Sequence, residues 1–190
     1  YSLYYAARYK SNVFAFEPSP FNIIMLAKNI NINNFQKQIK IITNPLSQGN
    51  KIQALSYSYF EEGSSSAAFG VEYGGDGKPF NKTFEFETVG FTLDYFIANE
   101  IITDSPKIIK LDVDGIEHLI LSGAQEVLQS PNCKSILVEV SSSYATQAKS
   151  INEILTSSGF VLDVSEERKV LDQRTSNSWN HSHNQIWVKK

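Results

Sequence analysis

Three carboxylates stand in or at the ends of short apolar runs, where side chains can do chemistry. Glu17 closes Val13-Phe14-Ala15-Phe16, Asp112 closes Ile108-Ile109-Lys110-Leu111, and Glu139 sits within Leu137-Val138-Glu139-Val140. Open α/β sheets bind ligands beyond the carboxyl ends of their strands, so acids at strand ends are the first candidates. At such a place Glu17 can accept both protons of a vicinal diol, because two carboxylate oxygens match two ribose hydroxyls. Pro18-Ser19-Pro20 follows, with Ser19 placed as a helix N-cap and Pro20 as the first helical residue. A solvated acid at a strand end is the plainer alternative for Glu17.

The run Asp112-Val113-Asp114-Gly115-Ile116-Glu117 is the densest acidic cluster. Asp114 and Glu117 have capping-box spacing, in which both side chains satisfy free backbone N–H groups at a helix start. No cap explains Asp112, whose carboxylate falls where a transferred group must lie. Lys110 shares a strand face with Asp112. An amine in an apolar strand is costly unless it is paired or used, so a buried ion pair and a site role both stand. The same cost applies to Glu139, for which pairing with Lys110 on a neighbouring strand is the structural alternative.

His118 falls in the first turn of the helix after the cluster, where it can serve as a general base or lie on the surface. His181 and His183 share a face if 180–184 is extended, yet no further ligands stand at diagnostic spacing, so no metal is expected. Cys133 has no base beside it and receives no role. There is no G-x-S-x-G elbow, P-loop or CxxC pair.

The elements that must position these residues alternate. Strands are expected at 13–16, 40–43, 107–113, 135–140, 160–162 and 185–188, and helices at 2–8, 21–31, 116–128 and 148–157. Such alternation implies βαβ units and a mostly parallel sheet with helices on both faces. The runs 55–60 and 83–88 alternate polar and apolar residues, as half-exposed strands do. The Gly- and Ser-rich segment 61–81 between them reads as a binding loop or lid, or as a hairpin tip.

One domain accommodates 190 residues, and 42% hydrophobic with 19% charged residues is ordinary for a globular chain. A net charge of −3 without any basic run disfavours nucleic acid, and no apolar stretch is long enough for a membrane span. A single cysteine excludes an internal disulfide framework and favours a reducing, cytoplasmic setting. The chain starts at Tyr1 with an uncapped helix, which reads as a fragment whose first element lies upstream.

These residues, in this order, resemble the FkbM-type methyltransferase family. The resemblance runs through residues 13–20, Thr92-Leu93-Asp94, residues 109–117, Ser122-Gly123-Ala124, the strand bearing Glu139, and Asn184 before Ile186-Trp187. It implies a Rossmann-like class I fold whose first strand and glycine-rich cofactor loop precede Tyr1. It also implies S-adenosylmethionine as donor and a hydroxyl as acceptor, on a sugar or another small molecule. On that resemblance Glu17, with Pro18 and Ser19, holds the ribose, and Asp112 faces the methyl-transfer centre. Lys110, Asp114, Glu117 and Glu139 shape the acceptor side. Asp114 departs from the Glu more common in the family. Two rival readings remain: Asp112-Val113-Asp114 as the D-x-D of a metal-dependent glycosyltransferase, and a non-catalytic Rossmann-like module.

Overall fold

Apolar runs become strands and periodic stretches become helices in a computed structural model that describes residues 1–59, 67–79, 81–164 and 182–189. Helix α1 (Ser2–Tyr9) has no side-chain cap at its start and ends on Lys10 in the left-handed region. With α2 (Pro20–Ile32) it packs on a parallel pair, β1 (Val13–Phe16) and β2 (Ile39–Ile42). Ala6, Ala15, Ile30 and Ile39 form a small core there.

The alternating middle of the chain folds into its own antiparallel sheet, with β3 (Lys51–Tyr57) between β4 (Ala67–Phe69) and β5 (Phe84–Gly90). A third sheet has the order β6 (Ile108–Leu111), β7 (Ser135–Ser141), β9 (Ser182–Lys189), β8 (Phe160–Leu162). Among the described residues, parallel strand pairs are β1 with β2 and β6 with β7, beside an isolated parallel bridge between Leu46 and Phe91. The expectation of a mostly parallel sheet is therefore corrected to a mixed α/β fold. Two features account for the difference. β9 inserts antiparallel between β7 and β8, and the middle runs pair locally as an antiparallel sheet around β3.

The segment 61–81 is not simply a tip. Its described part contributes β4 to the sheet and a tight turn closed by the Tyr73–Pro79 bridge. The half-exposed character expected of 55–60 also fails at Leu55, Ser56 and Tyr57, which are all buried. Ser56 is tolerated there because its hydroxyl bonds the Glu85 carboxylate across the strand pair. The main core lies under β7, where Ile136 and Val138 meet Ile151 and Leu155 of α6 (Ala145–Ser157), with Leu128 and Trp187 beside them. Among the described residues, no helix is long and apolar enough to cross a membrane.

The helix expected over 116–128 is broken into α4 (Glu117–Ser122) and α5 (Gln125–Gln129). Gly123 marks the break, because a Cβ there would come within 2.3 Å of the Ser47 carbonyl oxygen. The restart at α5 is organised from α3 (Leu93–Ala98), whose own N-cap is the Thr92 hydroxyl. The Asp94 carboxylate accepts the N–H groups of Glu126 and Val127, each at 3.0 Å. At the far end of α5, Lys189 Nζ donates to the carbonyls of Leu128 and Ser130. An acid at the N-terminus and an amine at the C-terminus both complement the helix dipole. Asp94→Ala should therefore lower unfolding stability by about 1–2 kcal/mol in urea titrations. A loss below about 0.5 kcal/mol would show that the cap contributes little.

Candidate functional site

Glu17 follows β1 directly, its N–H bonded to the Ile42 carbonyl at 3.0 Å. Its Oε1 accepts the Ser19 N–H at 2.9 Å, which ties the strand end to the start of α2. Burial pushes the Glu17 carboxyl above the usual range, partly offset by that N–H and by Asn22. Half-buried Pro18 bridges the two. Ser19 holds the N-cap position with Pro20 behind it, as expected, but its hydroxyl makes no capping bond although the residue is 4% exposed. Tyr57, the last residue of β3, approaches this turn. Its hydroxyl lies close enough to Ser19 and Glu17 for both to influence its titration. Tyr57 escaped the sequence reading because its only signal was a place at the end of an apolar–polar alternation.

The acidic turn is organised by Glu117, which is 0% exposed. Its Oε1 accepts the Val113 N–H at 3.0 Å and its Oε2 the Gly115 N–H at 3.1 Å. Oε2 also accepts Gln147 Nε2 at 2.7 Å, and Gln147 Oε1 in turn accepts the Ser141 N–H at the end of β7. Glu117 thus reaches back to free N–H groups as a capping box requires, but the reciprocal half is absent. The N-cap position belongs to Ile116, with no side-chain cap, and Asp114 is held in the left-handed region at φ 57°. The reason is the turn itself. Gly115 adopts φ 110°, and a Cβ there would come within 2.8 Å of the Gly74 carbonyl oxygen from the Tyr73–Pro79 turn.

Around this turn the structure gathers Asp112, Asp114, Glu117 and Glu139. Lys110 forms an ion pair with Asp112 on the shared strand face, and its amine also lies over the Tyr1 ring at 4.1 Å. The pair is only partly buried. Asp114 is pushed up to about 7 by burial, then by the charges of Glu139, Glu117 and Asp112. Glu139 pairs in register with Asn184, whose Oδ1 is buried without a hydrogen-bond partner.

His118, the second residue of α4, is half-buried, and its Nδ1 is buried without a partner. Burial lowers its pKa, so the ring is neutral at pH 7 and able to accept a proton. It meets the Tyr144 ring edge-on at 5.8 Å, and Tyr144 meets Tyr73 at 5.4 Å. Burial, then Tyr144 and Glu117, push the Tyr73 phenol up.

The remaining candidates fall elsewhere. His183 lies opposite Val140 on β9, near Gln185, and His181 lies outside the described residues. Among the described residues, no three His, Cys, Asp or Glu side chains gather as a metal site. Asp112 is engaged by Lys110 and Asp114 is held in the left-handed region, and neither observation supplies the metal site that a D-x-D pair would need. Cys133 is 0% exposed and burial pushes its thiol up, as suits a core residue. A hollow of about 260 Å³ lined by Gln53, Ser56, Glu72 and Lys82 includes none of the strand-end acids.

The elevated Asp114 carboxyl carries a pH signature. Below its ordinary value of 3.8 both folded and unfolded chains hold the proton, and no penalty arises. As pH rises toward about 7 the unfolded chain gives the proton up first, so stability falls, and above about 7 the loss is complete. Asn tolerates the left-handed backbone and does not titrate. Asp114→Asn should therefore exceed the wild type in stability at pH 8, by up to about 4 kcal/mol, and match it near pH 4. Equal effects at both pH values in denaturant titrations would contradict the assignment.

Comparisons with known proteins identify the family and the fold. The family model described as the methyltransferase FkbM domain matches residues 1–162. The crystal structure of methyltransferase FkbM from Methylobacillus flagellatus KT superposes with a TM-score of 0.54 at 16% identity, which shows a shared fold. That match covers 94% of this chain and 36% of the solved one, so the chain spans about a third of that protein's length. No curated protein matches the sequence. With the family model covering residues 1–162 of 190, the chain belongs to the FkbM methyltransferase family.

Proposed function

We propose that this protein is an S-adenosylmethionine-dependent methyltransferase acting on a hydroxyl of a small-molecule or carbohydrate acceptor, in a reducing, cytoplasmic setting. The observation that carries the reading is Glu17. It is a half-buried carboxylate that forms no ion pair among the described residues, fixed at a strand end beside the start of α2. Such a group fits the two hydroxyls of a ribose better than it fits solvent, since accepting their protons offsets the cost of burial.

When bound, S-adenosylmethionine supplies an activated methyl group on a sulfonium. The residues of this chain bind, orient and accept a proton. Glu17 takes the ribose hydroxyls, with Pro18 and Ser19 shaping the turn beneath. Asp112, steadied by Lys110, sits at the carboxyl end of β6 and faces the reacting centre. Alignment of donor and nucleophile at about 3 Å supplies much of the rate, so rigid placement matters more than any one acid. His118, neutral and with an unpartnered nitrogen, is suited to take the hydroxyl proton. Asp114, Glu139 and the Tyr73 and Tyr144 rings line the acceptor side, where carboxylates receive further hydroxyls and aromatic rings cover apolar faces.

Calorimetric titration of S-adenosylhomocysteine into the purified protein tests this. The wild type should bind at about micromolar strength. Glu17→Gln keeps an acceptor for the Ser19 N–H but loses the charge, and Asp112→Asn removes the partner of Lys110. Each should weaken binding by about 1–3 kcal/mol. A folded wild type that does not bind would overturn the proposal.

A further inference from the structure

The least explained polar atom near the Glu17 turn is the hydroxyl of Tyr57. The side chain is 1% exposed, yet its oxygen has no hydrogen-bond partner among the described residues. The Ser19 hydroxyl is near enough to lower the phenol's pKa but not placed to make a well-formed bond. A buried hydroxyl without a partner is a standing cost to the fold, and a phenylalanine would remove it. The ring is held in place by Phe21 at 6.3 Å, Phe84 at 6.0 Å and Phe86 at 6.2 Å, so the hydroxyl does not swing away to satisfy itself. Burial, with the nearby Glu17 charge, pushes the phenol up. It is therefore protonated and available as a donor at neutral pH.

The chemistry of the neighbouring acid says what such a donor is for. An ionised carboxylate only accepts hydrogen bonds, whereas an alcohol both donates and accepts. A diol whose protons go to Glu17 still has oxygen lone pairs to satisfy. Glu17 and Tyr57 together offer what a sugar hydroxyl needs, one acceptor and one donor. We propose that Tyr57 is a further cofactor-positioning residue, whose hydroxyl donates to a ribose hydroxyl oxygen while Glu17 accepts that sugar's protons. The inference rests on the S-adenosylmethionine reading above and assigns it a contact from β3, an element outside the strand ends that carry the acids.

The test is Tyr57→Phe, with S-adenosylhomocysteine and its 2′-deoxy and 3′-deoxy forms titrated into wild type and variant, and thermal unfolding of both without ligand. The variant should bind S-adenosylhomocysteine about five- to tenfold more weakly, and one deoxy form should lose much less affinity in the variant than in the wild type. The unliganded variant should be at least as stable as the wild type, because it sheds an unpaired buried group. Unchanged affinity in the variant would overturn the inference alone. Equal deoxy penalties in both proteins would place the hydroxyl away from the ribose and overturn it as well. A marked loss of thermal stability would make Tyr57 a structural residue instead. No binding by folded wild type would overturn both this inference and the reading on which it rests.

Discussion

A buried carboxylate with all its neighbours in place organises the acidic end of this molecule. Glu117 is sealed from solvent and accepts three hydrogen bonds, two from the backbone of the turn after β6 and one from Gln147 on α6. Gln147 passes the constraint to the Ser141 N–H at the end of β7. The chain of bonds therefore locks two strand ends and two helices into one geometry. A carboxyl group so deeply placed persists only when its oxygens are satisfied, and the cost of leaving one unmet is far larger than the gain from any single bond. Asp112 and Glu139 owe their positions on adjacent strands to that lock, and Asp114 is forced into a conformation it would not choose.

Against this well-satisfied frame, several groups beside the two turns are poorly satisfied. The Tyr57 hydroxyl, His118 Nδ1 and Asn184 Oδ1 are buried without partners, and Asp114 is crowded by like charges. Stability alone would select against each of them. Their cost is borne beside groups that are over-determined, which is the pattern expected where strain serves binding. The aromatic neighbours act in the same sense. Tyr144 meets both His118 and Tyr73, and the turn from 73 to 79 lies against Gly115.

Much of the fold was legible from periodicity. The strand 13–16, the helix after Pro20 and the apolar run through Val138 appear where the pattern puts them. What was not legible depended on partners distant in sequence. The break between α4 and α5 follows from Gly123 meeting the Ser47 backbone and from the Asp94 cap, neither of which a helical period can report. The antiparallel entry of β9 and the burial of Ser56 are likewise tertiary outcomes. At the site, strand-end acids announced themselves because charge in an apolar run is conspicuous. The Asp114 cap was misread because the spacing to Glu117 is that of a capping box, while the turn at Gly115 decides the actual geometry. Tyr57 gave only its place in an alternating run, since a tyrosine in a strand is ordinary until its hydroxyl is found alone.

The central claim is that the Glu17 turn and the acidic turn bind one cofactor together. Amide hydrogen exchange with and without S-adenosylhomocysteine addresses it directly. The account predicts slowed exchange on binding at Ser19 and residues 21–23 after Glu17, and at residues 111–115 around Asp112, with α5 and its Asp94 cap unchanged. Protection confined to other elements, or none at either turn despite binding, would contradict it.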